Sequence, residues 1–164
     1  LGSAYSLHWF VVETKGMVTK ARSLEDGQLC FFDNLDKARA AMGEPDAVFS
    51  SGTLQYVADP CATLEELTAC DARYVLLTRV GLLDGYSRCY GVQVSRYSEN
   101  GFGPLPEGFA DGTVRYPLSL VAQSSFESVL AKRYRVLVRF REEKFAYRVG
   151  ETTADMFGYL AERT

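Results

Sequence analysis

One cysteine and the single histidine have the plainest chemical reach in this chain. Cys61 lies two residues ahead of Thr63, which with Glu66 three positions on makes a capping-box pattern. A helix N-terminus lowers a thiol pKa, and a thiolate beside an imidazole is a nucleophile. His8 is the one histidine, so a Cys61–His8 dyad forms only if the two meet in space. The plainer reading carries more weight: Cys61 as a small buried side chain, and His8 as a structural residue on an apolar strand. Cys30, Cys61, Cys70 and Cys89 match no zinc spacing, and there is no Walker A, Gly-x-Ser-x-Gly or Gly-x-Gly-x-x-Gly. No metal and no cofactor is expected.

A second chemistry is anion recognition. Residues 132–150 read KRYRVLVRFREEKFAYRVG. A hairpin turning at Glu142-Glu143 pairs Phe140 with Phe145, Val138 with Tyr147 and Val136 with Val149 on one apolar face. Arg135, Arg139, Arg141, Lys144 and Arg148 then share the other face. Five cations there repel unless carboxylates fold over them, water solvates them, or an anionic partner binds. Guanidinium suits phosphate and carboxylate. A sheet that reads RNA also offers exposed aromatics, whereas Phe140, Phe145 and Tyr147 fall on the opposite face.

The third feature is the stretch SENGFGPLPEGFADG, residues 98–112, with four glycines and two prolines. Structureless loops beyond about 12–15 residues are uncommon and often functional. Phe102 and Phe109 on it either dock against a protein or tuck under a compact Ω-like excursion.

These residues need elements to hold them. LHWFVVE reads as a strand, MVTKAR as a second, and QLCFF as a third after the Asp26-Gly27 turn. LDKARAAM reads as a helix capped by Asp33 or Asn34 and closed by Gly43. TLQYVA is a short strand, and a helix follows Asp59-Pro60. RYVLLTRVGLL and YSRCYGVQVSRY predict a hairpin about Asp84-Gly85, with Leu77 opposite Val92 and Val75 opposite Val94. TVRYPLSL is extended and SFESVLAKR helical. A terminal helix starts near Thr152, with Met156, Tyr159 and Leu160 inward. The expected core includes Trp9, Val11, Phe31, Leu77, Val92, Val138, Phe140 and Leu160.

The 164 residues predict one globular domain over 1–164, large enough to bury a core without disulfide or metal. The fold class is α+β: a mostly antiparallel twisted sheet of seven or more strands with about four short helices packed on it. Net charge is −3, but residues 1–82 hold seven Lys/Arg against eleven Asp/Glu, and residues 83–164 hold eleven against ten. The first residues lack a signal-peptide pattern, and no apolar run nears the 18 residues of a membrane span. Four cysteines in a chain this long suit a reducing intracellular compartment, cytoplasm or organelle interior, and not secretion.

Taken together, these features predict a soluble, non-catalytic binding or assembly module. It would engage a protein partner through the Arg-rich face, the Phe-bearing loop 98–112 or both, as a subunit of a larger complex. The alternatives are an RNA-binding domain using the same basic face, and a small cysteine-dependent enzyme built on Cys61 and His8. Oligomeric state is left open.

Overall fold

A computed structural model describes residues 6–85, 88–100 and 103–164, with the side chains of 143–145 outside the description. Phe102 and the side chain of Lys144 therefore lie outside the described residues. The chain divides into two compact units, residues 1–46 and 47–164.

In the first unit, β1 (Trp9–Val12) and β2 (Leu29–Phe32) pair in parallel, from Trp9↔Leu29 to Val12↔Phe32. Parallel neighbours need a crossover, and α1 (Lys15–Ala21) provides it. The stretch read as a second strand is thus largely helical, with Val18 its buried residue. Asp26-Gly27 makes no hairpin; Asp26 Oδ1 instead accepts the Gln28 and Leu29 N–H groups at 2.7 and 2.8 Å. α2 (Leu35–Met42) forms where its caps require. Asn34 Oδ1 accepts the Lys37 N–H at 2.9 Å, and Gly43 turns out of the helix at φ +68°.

The second unit is a six-stranded, mostly antiparallel sheet with two helices. Its strands are β3 (Ala47–Ser51), β4 (Tyr74–Leu83), β5 (Arg88–Arg96), β6 (Thr113–Ala122), β7 (Tyr134–Val149) and β8 (Thr152–Arg163). The order is β5-β6-β4-β8-β7, and β3 pairs in parallel with the first half of β4. With α3 (Pro60–Thr68) and α4 (Gln123–Leu130) the described residues hold four helices, and the α+β class stands. Asp59 caps α3 by accepting the Cys61 and Ala62 N–H groups, so the helix begins ahead of Thr63. α3 and α4 cover one sheet face, where Leu64, Leu77, Phe126, Leu130 and Tyr159 are fully buried. Full burial of each such side chain is worth about 1.5–3 kcal/mol.

The pairings of β4 and β7 differ from those the pattern suggested. β4 lies against β3, β6 and β8, and β5 folds back on β6 instead (Val92↔Pro117). β7 does not turn at Glu142-Glu143. It runs on to Val149, and the turn falls at Gly150, φ +61°. Arg141 pairs with Phe157 and Ala146 with Asp155, so residues 142–145 bulge out of the ladder. The expected terminal helix is β8. Its buried residues include Ala154, Met156, Tyr159 and Ala161. Gly158 lets the tip of the Phe140 ring approach the strand; a Cβ there would meet the ring's Cζ at 2.1 Å. With these partners Val92 (63%), Val138 (50%) and Phe140 (42%) are exposed and stand outside the core, whereas Leu77 is inside.

Candidate functional site

The residues picked from sequence do not converge. Cys61 is the second residue of α3, its N–H held by Asp59 Oδ1 at 3.0 Å. Burial pushes its thiol pKa up, and the Asp59 carboxylate adds to the rise. The cap that builds the helix start thus opposes a thiolate. His8 Nε2 is hydrogen-bonded to Ser6 Oγ at 2.6 Å. Three of the β7 arginines are matched by carboxylates: Arg135 with Glu162 (3.3 Å), Arg139 with Glu127 (3.1 Å) and Arg141 with Asp155 (2.7 Å). Arg148 is exposed near the strand end. Phe109 is 54% exposed, its ring edge-on to Tyr97 at 5.4 Å. The segment carrying it joins β5 to β6. Asp111 closes it by pairing with Arg96 (2.7 Å) and accepting from Ser98 N–H and Oγ–H. Among the described residues no cluster of three His, Cys, Asp or Glu is placed to hold a metal. No helix among them is long and apolar enough to cross a membrane.

A different set of residues gathers where parallel β3 and β4 meet, at the carboxyl end of β3. Ligands in open sheets with parallel strands bind outside the carboxyl ends of those strands. Halfway along, β4 changes neighbours, from β3 (through Thr78) to β6 (from Leu82). The ladder to β8 slips between Leu77 and Val80, and Arg79 takes a left-handed backbone at φ +54°. Glu142, from the β7 bulge, accepts the Arg79 N–H at 2.7 Å. The Arg79 side chain bends over the end of β3. Its Nε donates to Ser51 Oγ at 3.1 Å, which also accepts Thr78 Oγ1–H at 2.7 Å. Gly52 (φ +63°) permits this approach, because a Cβ there would stand 3.3 Å from the guanidinium carbon.

The residues just past β3, Leu54–Tyr56, form a 3₁₀ turn and not the strand expected of TLQYVA. This turn starts a relay of hydrogen bonds. Tyr56 Oη donates to Gln93 Oε1 at 2.6 Å, which uses its only proton. The 2.8 Å contact between the two phenols must then run from Tyr147 to Tyr56, and Tyr147 in turn accepts from Gln55 Nε2 at 3.1 Å. The order is Gln55 to Tyr147 to Tyr56 to Gln93. Burial, with the bond given to Tyr56, holds the Tyr147 phenol well above the usual tyrosine range. Gln55 is only 2% exposed, and its Oε1 is a buried acceptor without a donor among the described residues. Tyr147 and Gln93 also line a cleft of about 560 Å³ with Leu118, Arg148, Val149 and Met156. Nothing in the sequence joins Gln55, Tyr56, Gln93 and Tyr147. The usable signal was the Ser-Ser-Gly-Thr-Leu-Gln-Tyr run directly after the apolar stretch AVF.

In the first unit, the carboxyl end of β1 carries Glu13. The carboxylate is exposed, and its Oε2 accepts the Thr14 N–H at 3.2 Å.

No family model matches the chain, and no curated protein does. Solved structures do. The N-terminal domain of EvdMO1, with SAH bound, aligns over 94% of this chain and 64% of its own length, with a TM-score of 0.52 and 17% identity. An S-adenosylmethionine-dependent methyltransferase from Clostridium acetobutylicum aligns over 94% of this chain and 74% of its own (TM-score 0.52, 11% identity). The glycopeptide N-methyltransferase MtfA, complexed with SAH, aligns over 98% and 74% (TM-score 0.50, 11% identity). Likeness at this identity shows a shared fold, and the chain spans about two thirds of the length of the EvdMO1 domain. The finding corrects the functional expectation. A fold shared with methyltransferases overturns the expectation of a non-catalytic binding module and complex subunit. The physical reason agrees: three of the cations that suggested an anionic partner are paired internally, and the Cys61 thiol is held protonated.

Proposed function

We propose that this chain is part of an S-adenosylmethionine-dependent methyltransferase, with residues 47–164 contributing the surface that receives the methyl acceptor. The supporting observation is the fold likeness over 94% of the chain to structures that hold SAH. The start of a polar relay just past β3, at the end of a parallel strand pair, accords with it.

When bound, S-adenosylmethionine supplies a methyl on a sulfonium; an acceptor lone pair takes the methyl, and the broken S–C pair stays on sulfur.

The chain's own residues orient the acceptor. The hydroxyl protons of Tyr56 and Tyr147 are both committed within the relay, and burial opposes ionisation of Tyr147. The relay therefore fixes donors and acceptors in space and does not remove a proton; the proton the acceptor sheds passes to water. Holding reactants in register is worth several kcal/mol of barrier without any base. The test is transfer of a trideuterated methyl from labelled S-adenosylmethionine to small molecules of a cell extract, read by mass spectrometry. The reading expects at least one new labelled product that is lost with Tyr147→Phe. Intact methyl donor and no labelled product refute it.

A further inference from the structure

We propose that Arg79 is the specificity anchor of this site: its guanidinium grips a carboxylate or phosphate on the methyl acceptor. The acceptor class is then a small amine or alcohol bearing an acidic group. This rests on the methyl-transfer reading of the same strand ends.

Four observations lead there. First, Arg79 holds a left-handed backbone, φ +54°, which costs a non-glycine residue energy and persists only where surroundings enforce it. Glu142 enforces it through the Arg79 N–H. A glycine would sit there without strain, so an arginine at that point has to be accounted for by its side chain. Second, the side chain is aimed. Ser51 Oγ takes Nε, and the head lies over Gly52 at the end of β3. With Nε engaged, Nη1 and Nη2 remain as a two-pronged edge, the geometry that accepts a carboxylate or phosphate bidentately. Third, Arg79 has no carboxylate within ion-pair distance among the described residues, unlike Arg88, Arg96, Arg135, Arg139 and Arg141. Glu142 Oε1 accepts the Arg79 backbone N–H. Fourth, Tyr147 borders the same spot. Its ring rests on Gly81, two residues beyond Arg79, at 3.0 Å from where a Cβ would be. The relay therefore adjoins the cation. Gln55, bonded to Tyr147, keeps a buried carbonyl oxygen with no donor among the described residues. A buried orphan of this kind calls for a partner from outside the chain, such as the N–H or O–H of a bound molecule.

The experiment titrates the protein with acetate and, separately, inorganic phosphate. It follows the Arg79 Nε–H resonance in proton–nitrogen spectra, beside thermal melting. Expected is a saturable shift of the Arg79 resonance in the native chain, and, for at least one anion, an anion-induced rise in melting temperature that needs about tenfold more anion in Arg79→Gly. That variant should melt no lower than the native chain, since it relieves the left-handed strain. Arg79→Asn, which also tolerates positive φ, should lose the response too and excludes a local collapse peculiar to glycine. An Arg79 resonance unmoved by both anions, or equal affinity in either variant, overturns the proposal. SAH affinity measured on the same sample separates the two ideas. SAH binding without an anion response removes the anchor alone. An anion response without SAH binding removes the methyl-transfer reading and, with it, the acceptor class.

Discussion

Tyr147→Phe removes one oxygen from the middle of the relay and little else. The ring stays, still covering Gly81, so no cavity of consequence opens. Gln55 Nε2 loses its acceptor in a residue whose Oε1 already lacks a donor. Tyr56 keeps Gln93 as acceptor but no longer receives a proton from Tyr147. A buried donor stripped of its partner costs about 1–3 kcal/mol, so the loss is set at roughly 2 kcal/mol. For a chain of this length each kcal/mol lowers Tm by about 2–4 °C, giving a fall of roughly 4–8 °C. Urea unfolding should show a shifted midpoint at unchanged slope. A double-mutant cycle isolates the contact: in a Gln55→Met background, where the amide is gone, Tyr147→Phe should cost at least about 1 kcal/mol less. Native stability in Tyr147→Phe, or strict additivity in the cycle, would refute the relay as drawn.

Other expectations follow from the same geometry. Gly158→Ala drives a methyl into the Phe140 ring and should destabilise by about 1–3 kcal/mol, with Phe140→Ala in the same chain restoring part of the loss in a denaturation series. Three donors converge on Glu127 Oε1: Gln123 (2.7 Å), Tyr159 (3.0 Å) and Arg139 (3.1 Å). Burial pushes that carboxyl upward, but these bonds outweigh it and leave its pKa below the ordinary value. A lowered folded pKa gives stability that is present above the unfolded value, near 4.3, and lost as pH falls through the folded one. Glu127→Gln should therefore flatten the acid limb of a Tm-against-pH curve. At the alkaline end the signs reverse. Burial, first of all, raises Tyr147 and Tyr159, so their contribution holds below about pH 10 and declines above it, by roughly 1.4 kcal/mol per pH unit for each phenol. Tyr147→Phe and Tyr159→Phe should each soften that decline.

Local signals carried the parts of the fold that are local. The Asn34 and Gly43 caps framed α2 in the chain text, and apolar runs marked β2, β4, β5 and β6. Misreadings arose where a distant partner decided. MVTKAR has β-branched residues yet helps form a crossover, because Trp9–Val12 and Leu29–Phe32 lie parallel. Thr152 and Asp155 look like helix-start residues, but β4 and β7 flank β8 along its length and fix it as a strand. Leu77 and Val92 look like a hairpin pair until β3 and β8 claim β4 and leave β5 to β6. The candidate site was the least legible part. Gln55 and Tyr56 meet Gln93 and Tyr147 across 37 to 92 residues of chain, through side chains that also occur in ordinary loops. The arginines of β7 were legible as a concentration of charge, but their carboxylate partners, Glu127, Asp155 and Glu162, were placed by the fold.

Calorimetric titration with S-adenosylhomocysteine tests the central claim most directly. The methyltransferase account predicts saturable one-to-one binding. Absence of any saturable heat up to millimolar ligand would contradict it.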